Sequence, residues 1–374
     1  EPSLSVVLMI LLVAYIGLTR AASAYPLDMT EDAYSRLCKI VLVAILLTGL
    51  VPDARRVGAL YAVIALSVGF WAIKGGIWTV ILGPHQVYGT TYDNNLFALK
   101  SVMVLPMMYY FAQTLRRPRW RWMMLTFCAL ACLGILGSRS RSGFLALVFV
   151  LFCIGWSSAH RIKATFAVSL FALAAAAMSW SEIESRINSI RSYRQDKSAG
   201  ARLVIWDAAA DMLAQRPLFG VGFGNFERAY GDAGYGRWAA HNIWLQNLAE
   251  LGLIGHPLWL GLLATTALRL WILARRGQRA PPDMRWCGHL SRGLLLALAA
   301  FWIHGMFHNE EYLELMFAIV GLSVAIDAAF RRECREFRLR AAAGLPARVQ
   351  HRPEPVGVLS PHPSGAVLSF GRCA

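Results

Sequence analysis

Charge is what this chain of 374 residues has least of. Asp, Glu, Lys and Arg make up 16% of it, against about 25% in soluble domains, while apolar residues reach 57% and mean hydropathy is +0.46. That balance excludes an ordinary soluble domain and points to an integral membrane protein. Acid is scarcer than base: 22 Asp and Glu stand against 37 Lys and Arg, a net +15. In a soluble chain such an excess suggests nucleic acid. Here the basic residues gather between apolar runs, as cytoplasmic loops require, so no nucleic-acid partner is expected.

Paired cysteine is also missing where it could have been used. Of the seven cysteines, Cys38, Cys128, Cys132 and Cys153 fall at or within apolar runs, and Cys287, Cys334 and Cys373 lie in basic segments. None lies in 181–242, the one long polar stretch, which argues against a disulfide framework. Cys128 and Cys132 share a helix face but have no Cys or His partner, so they read as small hydrophobes. No Cys, His or carboxylate group has ligand spacing near the polar motifs, so neither metal nor cofactor is expected. Sequence repeats and matched Gly/Pro breaks in two halves are absent as well.

What is present is a series of apolar runs. A spanning helix takes about 20 mostly apolar residues, and on that measure there are about ten candidates. They lie at 3–19, 37–52, 57–73, 95–114, 122–137, 143–158, 164–180, 243–272, 291–307 and 312–330. The expected fold is therefore all-α and polytopic. The connections DARR (53–56), RRPRWR (116–121), HRIK (160–163) and ARRGQRAPPDMR (274–285) are basic and alternate with poorer ones. Positive-inside bias places them in the cytoplasm and the long 181–242 loop, with short helices, outside. Four regions follow: spans over 1–180, the outer loop 181–242, spans over 243–330, and a basic cytoplasmic tail, 331–374, expected to be disordered. The chain opens on Glu1 rather than Met, so an upstream part is expected to be missing.

The chemistry-bearing groups collect on the expected outer side. SRSRSG (138–143) sets two arginines between apolar segments. Arg139 and Arg141 have two readings: they snorkel to headgroups, or a planar guanidinium at a helix start holds a phosphate. Arg186, Arg191, Arg194 and Lys197 read as a solvated or headgroup-facing set. Arg202 opens RLVIWDAAADMLAQ (202–215), whose apolar residues recur with helical period, and so lies in the first turn of an amphipathic helix able to reach an interfacial anion. In RPLFGVGFGNF (216–226) three alternating glycines read as a structural connector with sharp turns. His241 precedes Asn242 and the apolar run from Ile243, near a helix N-terminus whose dipole favours the neutral ring. It is either a hydrogen-bonded structural residue or a general base. Gln246 and Glu250 follow on the same helix as possible support, with Arg191 as a third such candidate. His304, His308, Glu310 and Glu311 form another outer cluster without defensible ligand spacing.

Taken in order, SRSG (140–143), Arg202 with Trp206, RPLFGVGFGNF and AHNIWLQNLAELGLIG (240–255) resemble the O-antigen ligase and polymerase superfamily. The resemblance spans about 138–256. AIKGGIWTVILG (72–83) and YDNN (92–95) are similar to the branch of O-glycosylation ligases associated with the exosortase A system. It implies a metal-independent, inverting glycosyltransferase of the bacterial inner membrane, with its active site facing the periplasm. The donor would be a glycan on undecaprenyl pyrophosphate and the acceptor a hydroxyl of a lipid core, a protein or another glycan, with membrane lipid around it. Arg141 and Arg202, with Arg139 as the adjacent alternative, would bind pyrophosphate, and His241 would activate the acceptor. The family's usual span count exceeds that found here, which also suggests a missing N-terminal pair. A polymerase on the same donor is the alternative enzyme. A glycolipid flippase is the alternative of another class, though its charges should run through the membrane rather than gather on one side.

Overall fold

The structure, a computed structural model, describes residues 3–50, 53–83, 93–157, 161–162 and 197–343. All regular elements among them are helical, and the chain is a polytopic all-α membrane protein. The helices are α1 (Leu4–Ala21), α2 (Glu31–Leu50), α3 (Ala54–Leu82), α4 (Asn94–Ala112), α5 (Pro118–Gly137), α6 (Arg141–Trp156), α7 (Lys197–Gln215), α8 (Phe226–Tyr230), α9 (Ile243–Arg279), α10 (Trp286–Gly305) and α11 (Glu314–Ala342). Their starts are written locally. Asp53, Asp93 and Ser140 each turn a side-chain oxygen onto an orphan N–H of the helix that follows, and α5 opens on Pro118.

Among the described residues seven helices are long and apolar enough to cross a membrane: α1 to α5, α9 and α10. Nine of the ten expected runs fall on helices; the tenth, 164–180, lies outside the described residues. Two boundaries differ. Helix α7 begins at Lys197, five residues before the expected start, so Arg202 sits in its second turn rather than its first. Helix α11 runs to Ala342, so the expected disordered tail is helical as far as that residue. RRECREFRLRAA is rich in helix formers, and the i,i+4 pairs Asp327–Arg331 and Arg332–Glu336 brace it.

Because successive helices reverse, the ends of α3 and α5 and the starts of α4, α6, α9 and α11 share one end of the bundle, called here the polar end. The basic connections share the other, where Arg116 pairs with Asp283 at 3.1 Å. Trp259, Tyr61, Phe301 and Phe317 fill the core between them.

Helix α9 is 37 residues long, about 55 Å, and is broken near its start. Gly252 has φ 65° and ψ −168°, a region open almost only to glycine, and the ladder stops there. Freed backbone groups inside a membrane protein need partners, and the glycine-rich segment after α7 supplies them. Val221 N–H donates to Ala249 O at 2.9 Å and Gly222 N–H to Glu250 O at 3.0 Å. Leu253 N–H donates to Pro217 O at 2.8 Å. The Tyr15 hydroxyl lies 2.9 Å from both Leu218 O and Leu251 O. Gly220 has no room for a Cβ against the Ala249 and Glu250 carbonyls, which is why this segment must be glycine there. The connector is thus the second half of a helix break.

Candidate active site

His241 is held from both sides. Ala240, fully buried, donates its N–H to Gln246 Oε1 at 3.1 Å and accepts from Trp206 Nε1 at 3.2 Å. Asn242 is the N-cap of α9, its Oδ1 accepting from Trp244 and Leu245 N–H at 2.9 and 3.2 Å. Pinned between them, His241 takes φ 49°, a left-handed conformation that a side-chain-bearing residue adopts at a cost. Trp206 belongs to α7, so that helix is tied to the residue beside His241, and Arg202 stands one turn earlier on it.

Across the polar end lies the serine–arginine turn. Ser138, Ser140 and Ser142 are buried, whereas Arg139 and Arg141 are exposed, an alternation that aims both guanidinium groups outward. Ser140 caps α6 through Gly143 N–H at 3.2 Å and donates to Asn95 Oδ1 at 2.7 Å. Arg139 has φ 54°. Among the described residues, Arg139 and His241 are the two that take positive φ without being glycine.

Two histidines bridge these halves. Ser142 Oγ is 3.1 Å from His304 Nε2, and the His304 and His308 rings meet edge-on with centroids 5.5 Å apart. His308 Nε2 lies 3.7 Å from Asp93 Oδ2, in the loop that caps α4. Burial holds the His308 imidazole below its usual pKa; Asp93 opposes that, and His241 is close enough to add to it. The row therefore runs from the Arg141 turn through His304 and His308 to His241, with neutral rings favoured at His308.

The acids have other tasks. Glu250 accepts from Gly224 N–H at 2.8 Å and Phe226 N–H at 3.3 Å, so its carboxylate caps the connector. Glu311 is fully enclosed; burial first, then the neighbouring Glu250, pushes its carboxyl well above the usual range. Gln246 Nε2 donates to Glu311 Oε1 at 3.4 Å, so Gln246 joins this acid to Ala240.

Of the residues expected from sequence, the structure brings His241, Arg139, Arg141, Gln246 and Glu250 to the polar end. Arg202 lies on α7 close by in the chain trace, and Arg191 lies outside the described residues. Sequence reasoning did not link Ser142 to His304, 162 residues apart, or Asp93 to His308. Asp93 was visible only as part of YDNN, and no spacing rule joins a loop acid to a distant helix end.

The class of protein is therefore a membrane-helix bundle whose polar end gathers arginine, histidine and serine around a broken helix. Residues 125–260 match a family model described as O-antigen ligase, over a little more than a third of the chain. Residues 2–116 match a family of unknown function (DUF5935). No curated protein matches the chain. The O-antigen ligase match contains Arg139, Arg141, Arg202, His241, Gln246 and Glu250.

Proposed function

We propose that this protein transfers a glycan from undecaprenyl pyrophosphate to an acceptor hydroxyl at the polar end of the bundle, facing the periplasm from the bacterial inner membrane. The observation that carries the reading is the backbone cost spent at Arg139 and His241, the two non-glycine residues with positive φ among those described, both inside the O-antigen ligase match. Strain of this kind persists where the surroundings over-determine it, and it collects at working sites.

The acceptor oxygen attacks the anomeric carbon from the face opposite the leaving group, and its proton passes to His241. The glycosyl C–O bond breaks, and undecaprenyl pyrophosphate leaves with the bonding pair. Arg141 and Arg202, with Arg139 beside them, hold the growing negative charge, which places the electrostatic work on guanidinium groups rather than on a metal. Gln246 and Trp206 support the reading by fixing Ala240 on the chain just before His241. The test is mass spectrometry of products from purified protein, lipid-linked glycan and acceptor, in excess chelator. Glycan mass on the acceptor and release of undecaprenyl pyrophosphate are expected. Elongation of the glycan on its own lipid would mark a polymerase, and no transfer by well-folded protein would overturn the reading.

Arg141→Ala and Arg202→Ala should each lower transfer by about 10²–10³, the loss typical of removing one charge-stabilising donor, and weaken donor binding as well. Lys at either position should restore only part, because a point charge does not reproduce a bidentate fork. Titration of donor binding alongside single-turnover transfer checks both, and unchanged donor binding in both Ala variants would remove the pyrophosphate role.

Orientation is tested separately. In a cysteine-free background, Tyr235→Cys should react with an impermeant thiol reagent from the periplasm and Gln278→Cys should not, since 278 lies in the arginine-rich connection. The reverse pattern would put the site on the cytoplasmic face.

A further inference from the structure

At the basic end, α9 and α11 flank an open cleft of about 530 Å³ whose wall carries the exposed Arg275, Arg276, Arg279, Arg331, Arg335 and Arg338 and no carboxylate. Like charges one turn apart on a helix repel, and here that happens twice, at Arg275 with Arg279 and at Arg331 with Arg335. The acids of α11 relieve it only at Arg331. Asp327 takes Arg331, Glu336 pairs with Arg332 at 3.1 Å, and Glu333 accepts from Trp286 Nε1 at 2.9 Å. Among the described residues no carboxylate pairs with Arg276, Arg279 or Arg335. The helix dipole accounts for Arg276 and Arg279, in the last turn of α9. It does not account for Arg335, two turns before the end of α11.

We propose that this cleft binds the phosphate headgroup of an anionic phospholipid from the leaflet around it. The surroundings are those of a bilayer boundary rather than open solvent. Trp271 and Leu268 are exposed on the apolar run of α9 just before the cleft, and the Arg275 guanidinium stacks on Trp271 at 3.9 Å. Phe330 and Leu339 give the wall an apolar part for glycerol and acyl chains, which a free anion would not use. Arginine forks suit phosphate oxygens bidentately, and basic clefts between membrane helices are where anionic headgroups lodge. The site lies at the opposite end from the transfer chemistry and does not depend on that reading.

The experiment titrates purified protein in detergent with phosphatidylglycerol, phosphatidylcholine or inorganic phosphate, reading retained lipid by native mass spectrometry and stability by thermal unfolding. Phosphatidylglycerol is expected to be retained and to raise the unfolding temperature, with the other two doing neither. Near a membrane each basic residue contributes about five-fold, so Arg276→Gln/Arg279→Gln/Arg335→Gln should bind about 100-fold more weakly. Should that variant fail to fold, Arg335→Gln alone should lose about five-fold, and the triple Lys variant should bind between the wild type and the triple Gln variant, keeping the charge but not the bidentate fork. Equal retention of both lipids, a Gln variant that binds as wild type, or an equal effect of inorganic phosphate would each overturn the proposal.

Discussion

His241→Ala protein is expected to bind lipid-linked donor as the wild type does and to transfer glycan about 10²–10⁴ times more slowly, the loss expected when a general base is removed. The two effects separate because the arginines, not His241, are assigned to the pyrophosphate. A purely structural His241 would behave differently, since φ 49° between Ala240 and the Asn242 cap makes this a stressed point of the chain. Replacing a structural residue there should lower yield and thermal stability together with activity. His241→Asn sharpens the comparison, because Asn tolerates the left-handed conformation but accepts no proton. Well-folded His241→Ala or His241→Asn protein with near wild-type transfer would sink the base assignment. His308 would then be the next group to examine, as its ring is held neutral by burial and stands near His241. Glu250 is a weaker successor, since its carboxylate is already occupied by the Gly224 and Phe226 amides.

The helices were legible because apolar length is a one-dimensional signal: any run able to meet lipid shows itself without reference to the rest of the chain. Caps were legible for the same reason, and Asn242 does open α9 directly after His241. What the sequence could not show is anything made by two distant segments. Ser142 meets His304, and Asp93 approaches His308, only because α4, α6 and α10 pack together. The arginine turn also looked ambiguous in sequence. The alternation of buried serine with exposed arginine emerges only once Ser140 caps α6 and bonds Asn95. The end of α11 escapes a sequence reading for another reason: the tail mixes Arg, Pro, Gly and Ala with no sustained apolar period, whereas pairs such as Asp327–Arg331 and Arg332–Glu336 support the helix without one.

Gly252 decides whether that polar end can form at all, and Gly252→Ala should destabilise the protein by about 2–4 kcal/mol. Two independent costs combine there. The φ of 65° with ψ −168° excludes a Cβ-bearing residue on backbone grounds, and the added Cβ would lie 2.5 Å from Leu218 O, a backbone atom that cannot swing aside. If the chain escapes by straightening α9, the Ala249 and Glu250 carbonyls return to the helix ladder. Val221 and Gly222 then lose their acceptors, and Leu253 N–H leaves Pro217 O. Glu250 would no longer meet the Gly224 amide, so the connector and the helix carrying Arg202 would loosen from the segment carrying His241. Gly58→Ala is the matched control, because a Cβ there meets nothing within 4 Å and Ala is the better helix former. Thermal unfolding in detergent should show Gly252→Ala melting well below both wild type and Gly58→Ala, with transfer reduced even where the protein remains folded. Equal stability of the two alanine variants would mean that α9 does not need its break, and the glycine-rich connector would have to be explained some other way.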